Sequence, residues 1–526
     1  MTLLGAGTKS GASAVNAFAY SSRATVLNTT MVPGDTLYLE GNRYAGMTLS
    51  IASSGTATAR KRLIGYDGGV VIGGVPYPHP VIEGTSTTEN QPGAMVLQSG
   101  ASYWTLSNLE GRRSGWALHT LGANAGLIID NVTNFSNLDV STNFTANGLG
   151  FVDADNLLIM NCNVARHKDY GIHLIQGCDN VVIQNCRADG TGTGDTPDSF
   201  NSTAGFMFHT DTAGSPMNTN VTLKDCVSRN HRVPSEGQGD GFLVEYNNTG
   251  ITFTRCLSFD NLQGGFDAKG MAQTFTDCVS VRNGNGFKIW KNATMYNCIA
   301  TETTGNVLFL PQKYTSGEHV LDAYNCTFHV SPSNVTGGAA VYIENGPANF
   351  VRASLYNCLL SRANGNSTYS KNIIAGGYGG VGPSVDLRTG MAADTKQHNS
   401  AAVLTNAPKY TSLTSPWKPW DANFSLTTDP AYDSLTYGVT KGYHSTLQDG
   451  IDKLALAPTR DSGGNVTLGF QTRLGRTYRV EARNDLALDT WSLIADNVTG
   501  TGGAVSLQDP GAMRQEQRFY RLYNLP

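Results

Sequence analysis

A short strand recurs along the chain with its apolar positions fixed and its outward positions changed. In Gly239-Asp240-Gly241-Phe242-Leu243-Val244-Glu245, Gly265-Phe266-Asp267-Ala268-Lys269 and Gly286-Phe287-Lys288-Ile289-Trp290, a glycine precedes an aromatic residue and the positions after it alternate. Alternation with period two marks a strand that buries one face. Earlier copies begin at Gly150-Phe151, Gly171-Ile172 and Gly205-Phe206. Each copy is followed by a second apolar run ending in a polar residue and a cysteine, as in Asn161-Cys162, Asn185-Cys186, Asp225-Cys226, Arg255-Cys256, Asp277-Cys278, Asn297-Cys298, Asn325-Cys326 and Asn357-Cys358. Successive cysteines of this series are 24, 40, 30, 22, 20, 28 and 32 residues apart. Helical repeats need about 33 residues or more, whereas a floor near 20 fits one coil of a parallel β-helix. The longer gaps are insertions, which a solenoid places in turns on one face.

The pattern predicts an all-β chain: a right-handed parallel β-helix with a small C-terminal β-sandwich. Residues 1–75 are expected to form an N-terminal cap and the first coils, since the open apolar end of a solenoid has to be covered. The catalytic helix is expected over 76–460, with Gly-, Ser- and Pro-rich loops from 361 onward, where the Gly-Phe and Asn-Cys signals stop. From 463 to 526 the pattern becomes short alternating strands, such as Val466 to Phe470 and Thr477 to Glu481, separated by glycine turns.

Composition adjusts this picture in three places. A net charge of −4 gives no electrostatic reason to expect nucleic acid as a partner. No run approaches the roughly 18 apolar residues of a membrane span. Eight of the nine cysteines hold one place in consecutive coils, which predicts a column of buried free thiols rather than a disulfide framework. The chain is expected to be a secreted or periplasmic monomer whose signal peptide has been removed, a role common among β-helices with accessory modules.

Counting from each Gly-Phe aligns the outward residues of successive coils. One column reads Val152, His173, Met207, Leu243, Asp267 and Lys288; the other reads Ala154, Ile175, His209, Glu245, Lys269 and Trp290. Both begin apolar and become ionic between about 205 and 295, which localises a candidate site. Arg232, Arg282, Tyr246 and Lys291 lie in or beside the same coils. A groove of stacked charges and aromatic rings suits an anionic sugar chain, since aromatic faces pack on sugar rings and basic groups read carboxylates. The Arg166-His167-Lys168 turn is expected to be solvated, and His173 and His209 to be surface or turn histidines.

Uronate polymers are cut by β-elimination when the carboxylate is neutralised, a base removes the C5 proton and the leaving oxygen is protonated. Lys288 is the candidate base, with Lys269 or Arg282 as the neutralising cation. Glu245, His209, Trp290, Lys291, Arg232 and Tyr246 are the candidate substrate-binding residues. An inverting glycosidase and a non-catalytic glycan-binding solenoid are the alternatives.

The succession Gly239-Asp240-Gly241-Phe242, Gly264-Gly265-Phe266-Asp267 and Asn283-Gly284-Asn285-Gly286-Phe287-Lys288 resembles the active-site coils of polysaccharide lyase family 9, the β-helical pectate lyases. The resemblance implies that Lys288 is the proton-abstracting base and that Asp240 and Asp267 are Ca²⁺ ligands. The family pattern has two further aspartates where this chain has Gln263-Gly264. Half of a four-carboxylate cluster is therefore missing, and Ca²⁺ usually takes six to eight oxygens.

Overall fold

The fold is that of a computed structural model of the chain. It describes residues 1–362 apart from 13, 85–92, 135–146, 191–201, 211–215, 312–316, 325, 331–337, 346–348 and 357, and then 373–377, 396–398, 457–460, 466–471, 477–483, 492–499, 504–509 and 519–525. The chain divides into two compact units.

The first unit is a parallel β-helix. One coil runs through Gly264–Ala268, Gln273–Thr276 and Val279–Val281, and the next begins at Asn285–Ile289. Each strand pairs in parallel with its counterpart one coil on, as in Phe266 with Phe287, Phe275 with Met295 and Ser280 with Ala300. Among the described residues the first strand of the coils builds a twelve-stranded sheet, and the other two build a sheet of 23 strands.

The Gly-Phe repeat has a packing reason. Phe206, Phe242, Phe266 and Phe287 are buried and stack face to face at centroid spacings of 4.8, 4.8 and 4.7 Å. Phe253 and Phe275 meet this stack edge-on from the opposite wall. Offset and edge-to-face aromatic pairs contribute about 0.5–1.5 kcal/mol each beyond the area they bury. The glycine ahead of each phenylalanine lets the walls approach. A Cβ on Gly241 or Gly265 would lie 2.1 or 2.2 Å from the hydroxyl of Ser258 or Ser280.

The polar-Cys signature is a turn. Asn161, Asn185, Asp225, Arg255, Asp277 and Asn297 all sit in the left-handed region, with φ between 49° and 56°. Asn and Asp tolerate that region because their short side chains bond locally. Here Asn185 Nδ2 donates to Asn161 Oδ1 of the preceding coil at 2.7 Å. The cysteine that follows points inward, and all nine cysteines are buried free thiols. Cys178 is also in the core, outside the main column.

At the start of the chain a helical stretch from Tyr20 to Thr30 places Tyr20, Val26 and Leu27 in the same core as the coils. Near the other end, Leu359–Arg362, Ile373–Gly377 and Lys396–His398 extend the sheets. Of the late loops expected from 361 onward, residues 363–372, 378–395 and 399–456 lie outside the described residues. Among the described residues no helix is long and apolar enough to cross a membrane.

Among the described residues the second unit holds two three-stranded antiparallel sheets. Val466, Leu468, Phe470, Tyr478 and Val480 form their common core. A strand at Ala457–Arg460 pairs with Val466–Gln471, so strand structure begins ahead of the expected start at 463.

Candidate active site

The outward columns form as the Gly-Phe count requires from His173 onward. In register, His173 pairs with Met207, Met207 with Leu243, Leu243 with Asp267, and Asp267 with Lys288. The earliest member differs from expectation. The strand pairs two residues out of the counted register, with Leu149 beside Ile172 and Gly150, not Val152, beside His173; a shift after Phe151 then sets Val152 beside Gln176, and Ala154 belongs to a different strand. The Trp116 indole takes the room this leaves: a Cβ on Gly150 would fall 2.4 Å from the ring.

The ionic parts of both columns meet in a cleft of about 540 Å³. Of the candidate residues, Asp240, Asp267, Lys269, Lys288, Glu245, Tyr246, His209 and Trp290 line it. Asp267 is its hub and is 2% exposed. One of its oxygens accepts from Trp290 Nε1 at 2.6 Å, and the other lies 3.1 Å from Lys288 Nζ and 3.9 Å from Lys269 Nζ. Lys269 also reaches Glu245 Oε1 at 2.6 Å, with its ammonium 5.5 Å from the Tyr246 ring centroid. Lys288 Nζ lies 4.9 Å from the Trp290 centroid. Both lysines keep some exposure, 14% for Lys269 and 12% for Lys288. Trp290 itself is buried, so it fixes Asp267 rather than offering an open sugar platform.

Asp240 is buried one coil away, and its Oδ1 accepts from the Gly264 amide at 2.6 Å. Burial, and then repulsion from Asp267, push its carboxyl up to about 8 against the opposing pull of Lys288, the Gly264 amide and Lys269. Burial alone would lower Lys269, but Asp267 and Glu245 outweigh it and hold the ammonium above its usual range.

The residues present do not suit calcium. Asp267 already serves Lys288 and Trp290, Glu245 serves Lys269, and Asp240 is turned onto a backbone amide. Gly264 stands where the resemblance calls for an aspartate, and a Cβ there would lie 2.7 Å from Asp240 Oδ1. A cation needing six to eight oxygens would have to displace two ammonium groups from these carboxylates.

Three candidates lie elsewhere. Arg282 is not in the cleft lining; its Nε and Nη2 donate to Asp260 at 2.6 and 2.7 Å beside the Phe259 ring. Arg232 bonds Ser202 through its backbone carbonyl, and Lys291 is half-buried beside Trp290; neither lines the cleft. The histidine expectations also change. His167 and His173 are buried rather than solvated, and His167 packs 5.2 Å from the buried ring of His231. The cleft also uses Thr203, Glu236 and Gln238, which no strand pattern marks. The insertion between Arg232 and Gly239 was the only sequence sign of the last two.

Residues 92–283 match the family described as right handed beta helix region. No curated protein matches the chain in sequence. Among solved structures, the pectate lyase Pel9A is 14% identical with a TM-score of 0.34, covering 88% of this chain and 91% of that one. An alginate lyase from Paenibacillus sp. str. FPU-7 is 12% identical with a TM-score of 0.30, covering 67% of this chain and 96% of that one. The catalytic domain of a GH87 α-1,3-glucanase with nigerose is 13% identical with a TM-score of 0.35, over 69% of this chain and 64% of that domain.

Proposed function

We propose that the β-helix is a polysaccharide lyase that cuts a uronate-containing polymer by β-elimination. The observation that carries this reading is the convergence of Lys288 and Lys269 on one buried carboxylate at the floor of an open cleft. Lys269, anchored between Glu245 and Asp267, supplies fixed positive charge for the substrate carboxylate and so acidifies the C5 proton. Lys288 in its neutral form takes that proton; the C5–H electrons become the C4–C5 double bond, and the C4–O bond breaks with its electrons on the leaving oxygen, which is then protonated. The likeness of the three Gly-Phe strands to the lyase family 9 coils supports the assignment of Lys288, while calcium is left out of the chemistry.

A second reading has one observation in its favour. Asp240 is a carboxyl held protonated near neutrality beside another carboxylate, which is what a glycosidase acid requires. The deciding experiment incubates the protein with uronate polysaccharides and follows the ultraviolet absorbance of unsaturated products together with new reducing ends. Both should rise together. Reducing ends without unsaturation would overturn the lyase in favour of hydrolysis. Chelator should leave the rate unchanged, and loss of activity restored by Ca²⁺ would reinstate the metal.

A further inference from the structure

Among the described residues, positive charge in the cleft is confined to one point. Among the described lining residues Lys269 and Lys288 are the only lysines or arginines, against four acidic side chains, Glu236, Asp240, Glu245 and Asp267. Both ammonium groups are already in contact with carboxylates.

Away from that point the described residues of the first outward column are uncharged in both directions. Toward the N-terminal coils, Leu243 and Met207 follow Asp267 in register and form an apolar cluster with Ala204, against which Tyr170 packs. His173 comes next, stacked 5.8 Å from His209 and 5.9 Å from Trp116. Burial holds His173 well below the usual histidine range, so it adds no charge. Toward the C-terminal coils, Lys288 pairs with Phe309, whose ring lies 5.4 Å from that of Tyr342.

We propose that the substrate is a heteropolysaccharide in which a single 4-linked uronate sits at the lysine pair and is flanked by neutral sugars with apolar faces, as 6-deoxyhexoses have. This rests on the uronate-lyase reading above. Coils are spaced about 4.8 Å apart, so an extended sugar chain running along the floor presents successive residues to successive coils. A polyuronate would place its next carboxylates over Leu243 and Met207 on one side and Phe309 on the other. It would lose their hydration with no cation in return from that column. A neutral sugar meets none of that cost, and its apolar face packs on the apolar and aromatic side chains.

The test compares an alternating copolymer of a 4-linked uronate and a 6-deoxyhexose with polygalacturonate and alginate, using the full chain. Unsaturated product should form on the copolymer with kcat/KM at least about tenfold above that on either homopolymer. Equal or faster elimination on a homopolymer would overturn the inference and leave the lyase standing. Binding of the inactive Lys288→Ala protein to the same polymers, measured by calorimetry, separates recognition from chemistry. It should favour the copolymer even if the reaction proves hydrolytic, and tighter binding of a homopolymer, or binding of neither, overturns the inference. Leu243→Lys supplies the missing cation and should tighten homopolymer binding; unchanged affinity in a folded variant counts against the proposal.

Discussion

Two aspartates three coils apart are each buried against two cations, and they do different work. Asp189 is fully buried; Arg229 Nε donates to its Oδ2 at 2.6 Å, Asn230 Nδ2 to its Oδ1 at 3.2 Å, and Arg187 pairs with it as well. Its surroundings are sealed, with His167 and His231 packed beside it. Asp267 is as buried, but its partners are lysines at the wall of an open cleft. An arginine cannot give up its proton at any ordinary pH, whereas a lysine can. The lesson is that charge count does not separate a structural cluster from a reactive one. Solvent access and the chemistry of the cation do.

The contrast can be broken from either side. Lys288→Ala should lower kcat by about 10²–10⁴, the usual worth of a general base, with little change in thermal midpoint. A comparable loss of stability would mean the lysine is structural. Arg229→Ala should do the opposite. Removing one partner of a buried pair strands a charge and costs about 3–5 kcal/mol in denaturant unfolding, while the protein that remains folded keeps its kcat.

The third expectation concerns the histidine beside the sealed cluster. Burial lowers His167 to about 4, against a partial pull upward from Asp189. Below its ordinary value near 6.5 the unfolded chain takes up a proton that the folded chain refuses. Its contribution is therefore complete above that pH and is lost as pH falls toward 4, by on the order of 3 kcal/mol. His167→Gln should flatten the acid side of the stability profile over that window, and an unchanged profile would refute it. The smallest effect belongs to Arg282→Ala. Its pair with Asp260 is part-exposed, so the loss should be under about 1 kcal/mol with no change in kcat, and a large drop in activity would restore Arg282 to the site.

Much of this was legible in one dimension because a solenoid keeps sequence order in space. The Gly-Phe count placed Asp267 beside Lys288 and Glu245 beside Lys269, since each coil stacks directly on the last. The count failed at Val152, because the strand pairs two residues out of the counted register and Trp116 fills the space over Gly150. Arg282 was misplaced for a related reason. A residue in a left-handed turn, with φ 52°, can aim at the neighbouring coil's turn instead of the cleft, and local pattern does not say which.

The sequence by itself determined the architecture and the order of charges along it, because period-two alternation and a near-constant coil length leave few other ways to bury so many short apolar runs. Tertiary structure alone decided what those charges touch. It turned Asp240 onto the Gly264 amide and tied Trp290 to Asp267. It also sealed Asp189 behind arginines while leaving two lysines open to the cleft. Such outcomes depend on side-chain packing across coils and on burial, and neither is written in the spacing of residues along the chain.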